Sequence, residues 1–108
     1  MMKLKLISGT LSLVASFNGL AEPTGVPVNI LSLRPYTSSN PVAYIEVSAS
    51  TLCNTNGFKI NLSEPGGKEM YATALTAAAS GKQVKLEVSN ATGCQGWGTV
   101  LQSIYLVV

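Results

Sequence analysis

One short stretch of this chain, Lys68 to Ser80, repeats its apolar residues at helical spacing, and nearly everything around it alternates with a period of two. The alternating runs are VPVNILSL (Val26–Leu33), VAYIEVSAS (Val42–Ser50), FKINL (Phe58–Leu62), KQVKLEVS (Lys82–Ser89) and TVLQSIYLVV (Thr99–Val108). A period of two sends successive side chains to opposite faces of a sheet. The chain is therefore expected to be mainly β, in the order β-β-β-α-β-β.

The runs differ in quality. In the second, Ala43, Ile45, Val47 and Ala49 share one face, and Tyr44, Glu46 and Ser48 the other. In the third and fourth, Phe58, Ile60, Leu62, Val84, Leu86 and Val88 point inward. The first loses its alternation at Ile30–Leu31, which predicts a bulge. The last is apolar on both parities, as for a central strand or one that meets a partner chain. Arg34 to Pro41 (RPYTSSNP) is expected to be a loop carrying Tyr36, and Asn56-Gly57 is a hairpin signal. The helix should bury Met70, Tyr71, Ala74, Leu75 and Ala78, and stop at Gly81.

Ahead of these elements, MMKLKLISGTLSLVASFNGLA has Lys3 and Lys5 first, then a short apolar run, then Gly19 and Ala21 as small residues before a break. That order predicts an export signal over residues 1–21, cleaved after Ala21, with one domain over residues 22–108. The apolar run is too short and too interrupted for a membrane span. The expected location is secreted or periplasmic. Of the seven Lys and Arg, Lys3 and Lys5 leave with the signal, and five remain against five glutamates. The domain is neutral, which argues against nucleic acid and favours self-association.

Cys53 and Cys94 are the only cysteines. In an exported small domain they are expected to form one disulfide. In the chain-entropy view that bridge contributes roughly 3–4 kcal/mol.

Chemistry is thinly represented. The chain has no histidine and no aspartate. Triad catalysis and ordinary zinc ligation lack their residues, and neither an enzyme nor a cofactor or metal is expected. Glu46 and Glu87, both outward on strands, are the remote exception: two carboxylates that could serve glycoside hydrolysis if they faced one cleft. Otherwise they are solvated charges beside lysines. The sequons at Asn61 and Asn90 matter only in a eukaryotic secretory path.

Binding is the remaining class. In TGCQGWGTV (Thr92–Val100) the only tryptophan follows Cys94 among three glycines. A Cys53–Cys94 bridge would bring Asn54 and Asn56 beside Gln95 and Trp97. An exposed indole with nearby amides is a workable sugar platform, while a protein contact would use the same residues. Alternatively Trp97 covers the mouth of a barrel and the bridge only staples a loop.

Five strands with a helix between the third and fourth is the order of the OB-fold, a small Greek-key barrel. An open α+β sheet with the helix across one face is the alternative. The segment ATALTAAASGKQVKLEVS (Ala72–Ser89), followed by a cysteine loop and a final apolar strand, resembles the B subunits of AB5-type bacterial toxins, in the subtilase-cytotoxin and pertussis-like branches. The resemblance implies an OB-fold, a homopentameric ring with helices lining its centre, recognition of cell-surface glycans, and a possible catalytic toxin subunit as partner. The cysteines are placed differently from those branches, and no sugar-binding residue carries over. The other reading is a periplasmic OB-fold protein that binds a small ligand or answers stress, or an inhibitor of a secreted enzyme.

Overall fold

A computed structural model describes residues 25–108. The expected export signal over residues 1–21 lies outside the described residues. Five strands and one helix follow in the anticipated order: β1 (Ile30–Tyr36), β2 (Val42–Val47), β3 (Gly57–Asn61), α1 (Gly67–Ser80), β4 (Val84–Val88) and β5 (Thr99–Leu106).

They form one five-stranded sheet in the spatial order β1-β2-β3-β5-β4. β1, β2 and β3 make an antiparallel meander, and β5 pairs antiparallel with β4. The two halves join through a short parallel contact, Phe58 opposite Thr99 and Lys59 opposite Val100. A parallel neighbour requires a crossover. Here the crossover carries α1 and β4, which is why α1 falls where it does.

β1 and β4 end the sheet, and no continuous ladder joins them. The residues just before β1 do reach β4. The Val28 N–H donates to the Val84 carbonyl at 2.8 Å, and the Val84 N–H returns a bond to Val28 at 2.9 Å. The Gly25 N–H also donates to the Leu86 carbonyl at 3.1 Å.

The inward residues of the alternating runs become the core. Ala43, Ile45, Phe58, Ile60 and Val84 are fully buried, joined by Val47, Leu86, Leu101 and Val28. β1 runs three residues beyond the expected strand, through Arg34, Pro35 and Tyr36. Pro35 is tolerated because β1 is an edge and has only one neighbour to satisfy. The bulge expected at Ile30–Leu31 is present: Ile30 faces Val47 while Ser32 faces Glu46, leaving Leu31 extra and exposed.

A second bulge explains the two-faced last strand. Glu87 faces Ser103 but Val88 faces Leu101, so Gln102 is the additional residue. Side-chain parity reverses there. Leu101, Ile104 and Leu106 therefore share the core side although their numbers do not share a parity. β5 is also a central strand, the first of the two alternatives its apolar character allowed.

The helix is turned slightly from expectation. Gly67, Ala74 and Ala77 are its buried residues, with Met70 and Tyr71 packed on the core. Leu75 and Ala78, expected inside, are exposed. With alanine at 72, 74, 77, 78 and 79, hydrophobic spacing alone could not fix the rotation. Gly81 ends the helix as expected, at φ 74°, with its N–H on the Ala77 carbonyl. No helix among the described residues is long and apolar enough to cross a membrane.

Candidate functional site

Cys53 and Cys94 are bonded, with Cα atoms 5.4 Å apart. The bridge ties the β2–β3 connection to the β4–β5 connection. Cys53 and Asn54 lie in the left-handed region, at φ 58° and 53°. These two residues make the turn, and Asn56-Gly57 does not: Gly57 already begins β3. Asparagine tolerates left-handed backbone through its short polar side chain, but cysteine has no such help, and the conformation costs on the order of 1–2 kcal/mol. The disulfide and a bond from the Thr55 N–H to the Leu52 carbonyl hold it in place.

The partner loop is shaped by Gly93, Gly96 and Gly98, all at positive φ. Thr99 staples it from below. Its hydroxyl is fully buried, donates to the Gly96 carbonyl at 2.6 Å and accepts from the Gln95 N–H at 2.8 Å. The Gly98 N–H reaches the Gly57 carbonyl at 2.9 Å. The segment around Trp97 is thus anchored on both sides of the indole.

Trp97 lies on the outer face of the sheet and is 49% exposed. Its pyrrole edge covers Gly57, where any Cβ would overlap Nε1 and Cε2 and come within 2.6 Å of Cδ1. Gly57 is at an ordinary strand angle, so the indole, not the backbone, excludes a side chain there. Beside Trp97 is Tyr44 of β2, with ring centroids 5.3 Å apart and planes 31° apart. Beyond Tyr44 is Tyr36 of β1, again at 5.3 Å but 80° to it. The Arg34 guanidinium sits 4.9 Å from the Tyr36 ring centre.

Cross-strand register assembles this face. Ser32 is opposite Glu46, Arg34 opposite Tyr44, and Tyr44 opposite Lys59. The Ser32 hydroxyl donates to Glu46 Oε1 at 3.0 Å, which leaves the second carboxylate oxygen available. Ser32, Leu33, Arg34, Tyr44, Glu46 and Trp97 line an open cleft of about 230 Å³. That is somewhat smaller than the usual small-ligand pocket of roughly 300–1,000 Å³, and suits a shallow surface contact.

Of the residues singled out in the sequence, Trp97 lines the cleft. Gln95 and Asn54 are exposed on the two bridged loops and Asn56 is half-buried, with its carbonyl bonded to the Val47 N–H. None of these three lines it. Sequence reasoning missed Arg34, Ser32 and the part played by Tyr44. The available signal was Tyr44 in an outward position of a well-alternating strand, where a polar residue is usual.

Glu46 belongs to the cleft, but β3 and β5 stand between its strand and the strand of Glu87. Among the described residues, no group of three or more His, Cys, Asp or Glu is placed to hold a metal ion.

The Gly57 seat gives a direct test. Gly57→Ala is expected to keep the fold and push the indole off the sheet, at a cost of about 1 kcal/mol in lost stacking. Trp97 is the only tryptophan, so fluorescence excited beyond the absorption of the four tyrosines reports on it alone. The emission should shift to the red while the circular dichroism stays the same; an unchanged emission maximum would show that the indole does not sit there.

No family model, no curated protein and no solved structure matches this chain.

Proposed function

We propose that this chain is an exported carbohydrate-binding protein on an OB-type barrel, similar to the B subunits of AB5-type toxins, that works as a homo-oligomer. The observation that carries the reading is Trp97, held half-exposed over Gly57 next to Tyr44, with Arg34, Ser32 and Glu46 around it. Aromatic faces pack against the C–H faces of sugar rings. The carboxylate and guanidinium supply the acceptors and donors that hydroxyl groups need.

Three further features support the reading. The strand order, with β3 parallel to β5, is the one an OB barrel requires. The paired bonds between Val28 and Val84 lie where such a barrel would close, with one chain segment bonded first to β4 and then to β2. A disulfide fits a secreted or periplasmic location. Oligomerisation is favoured by the neutral domain and by the exposed Leu31 and Leu75. The ring of five and a catalytic partner chain come from the resemblance alone.

A glycan array probed with the export-processed protein tests the function. Binding should fall by about tenfold or more in Trp97→Ala, a loss typical of a binding hot spot, with thermal unfolding little changed because the indole is half in solvent. A wild-type protein that captures no glycan would sink the reading and leave the small-ligand or inhibitor alternative. Light scattering coupled to size exclusion should give a mass several times that of one chain; a monomer at micromolar concentration would remove the ring.

A further inference from the structure

The sheet keeps one edge open. β1 has β2 on one side only, and the residues ahead of it bond to β4 instead: Val28 pairs with Val84, and the Gly25 N–H donates to the Leu86 carbonyl. Leu31, Ser32, Arg34, Pro35 and Tyr36 are exposed along this edge, Leu31 by 64%. An open edge offers N–H and C=O groups to a further strand, and a bulge or a proline limits where that strand can lie. β1 carries both. The bulge at Leu31 and the ring of Pro35 bracket Ser32, Leu33 and Arg34, which remain for a short regular ladder.

We infer that this edge pairs with β1 of a second copy of the chain, antiparallel about a two-fold axis at Leu33, so that Arg34 of each copy reaches Glu46 of the other. In that register Arg34 faces Ser32 of the second copy. Other registers are penalised. A slip that sets Arg34 against Arg34 opposes like charges, the opposite slip runs Arg34 into the bulged segment, and a slip by one residue mixes the core face with the solvent face. Within one chain the Arg34 guanidinium lies against the Tyr36 ring, and one Glu46 oxygen accepts from the Ser32 hydroxyl at 3.0 Å. Glu46 is directly opposite Ser32 on β2. Across the axis it is therefore two strands from Arg34 of the second copy, about 10 Å between Cα atoms. An arginine and a glutamate can close that span over the short serine, and the second carboxylate oxygen accepts the guanidinium. The symmetry makes the ion pair twice. Both residues line the cleft, so each cleft gains a guanidinium from the other copy. The inference is independent of what the cleft binds. It makes the oligomer a two-fold pair, whereas a ring of five joins two different surfaces of each copy.

Light scattering coupled to size exclusion tests it on the intact disulfide-bonded protein. At low salt the mass should be twice that of one chain, and it should fall toward one chain as sodium chloride is raised to about 1 M, where the ion pairs are screened. Arg34→Glu and Glu46→Arg each set like charges against one another and should weaken the pair about tenfold or more. The double variant restores opposite charges and should restore the mass, with circular dichroism confirming that each variant is folded. A monomer at low salt, or a mass of five chains, overturns the two-fold pair. Single reversals that keep the wild-type mass, or a double variant that stays monomeric, overturn the Arg34–Glu46 contact. The salt series needs no substitution, so a dimer indifferent to salt overturns that contact even where a variant fails to fold. Glycan capture on the array is scored separately, and its failure leaves the mass measurements to decide the pairing.

Discussion

Gly67→Ala is expected to be among the most damaging single substitutions in this chain, costing about 3 kcal/mol. Gly67 is the first residue of α1 and is buried against the end of β3. A Cβ there would overlap the Asn61 carbonyl oxygen and come within 3.0 Å of its carbon and of the Leu62 Cα. These are backbone atoms of a paired strand, so no rotamer change relieves the overlap. Asn61 is opposite Val42 in β2, and its carbonyl accepts from the Glu64 N–H. Moving that strand end disturbs the ladder, and moving the helix withdraws Ala74 and Ala77 from the core. Alanine's helix propensity returns less than 1 kcal/mol, too little to reverse the sign. The thermal midpoint should fall by roughly 10–20 °C for a domain of this size. Gly66→Ala is a useful control: a Cβ at 66 meets nothing within 4 Å, and only its left-handed φ of 83° is penalised. Equal midpoints for wild type and Gly67→Ala would mean that the helix does not dock this closely.

The fold was legible wherever local pattern and tertiary burial agreed. Ile45, Val47, Phe58, Ile60, Val84 and Leu86 are inward in the pattern and buried in the fold, because strands with one covered face must alternate. Even the β1 bulge left a mark, two apolar neighbours at Ile30–Leu31. The second bulge left only an ambiguous mark, the apolar character on both parities that a strand covered on two faces would also show. Val100, Leu101, Ile104 and Tyr105 are all apolar in body, so a parity change at Gln102 does not alter the pattern. The helix rotation was lost for a related reason, since alanine marks neither a core position nor a solvent position.

The candidate site was legible only in its local part. Trp97 and the cysteine pair stand out within nine residues of sequence and across one loop closure. The cleft itself is non-local. Arg34, Tyr44 and Trp97 belong to two strands and a loop, and they meet because register sets Arg34 opposite Tyr44 and because Gly57 lacks a side chain. Knowing which residue of β1 faces Tyr44 requires the bulge at Leu31 to be placed first. Gln95, Asn54 and Asn56 were attractive because the bridge brings their loops together. Proximity of loops does not set side-chain direction, and the indole turns instead toward the sheet, where Gly57 leaves a space for its ring.

The second large effect is expected at the bridge. Replacing Cys53 and Cys94 together by serine should lower stability by roughly 3 kcal/mol, and two opposing contributions set that figure. Closing a loop of 41 residue steps restricts the unfolded chain, which the chain-entropy model values at roughly 4 kcal/mol. Against this, Cys53 is held at φ 58°, and releasing it recovers on the order of 1 kcal/mol. The fold should survive at low temperature, because the Gly98 bond to Gly57 and the Thr99 staple do not depend on sulfur. Urea unfolding therefore discriminates between two origins of the effect. If the bridge acts on the unfolded state, the serine variant has a lower midpoint and a steeper slope, since its unfolded chain exposes more surface. Trp97 fluorescence of the folded variant then matches the wild type. If the bridge instead builds the native loops, the emission shifts to the red before any urea is added. An unchanged midpoint would remove the disulfide from the account of this fold's stability, and leave the buried Thr99 hydrogen-bond pair as the element that holds the tryptophan loop against the sheet.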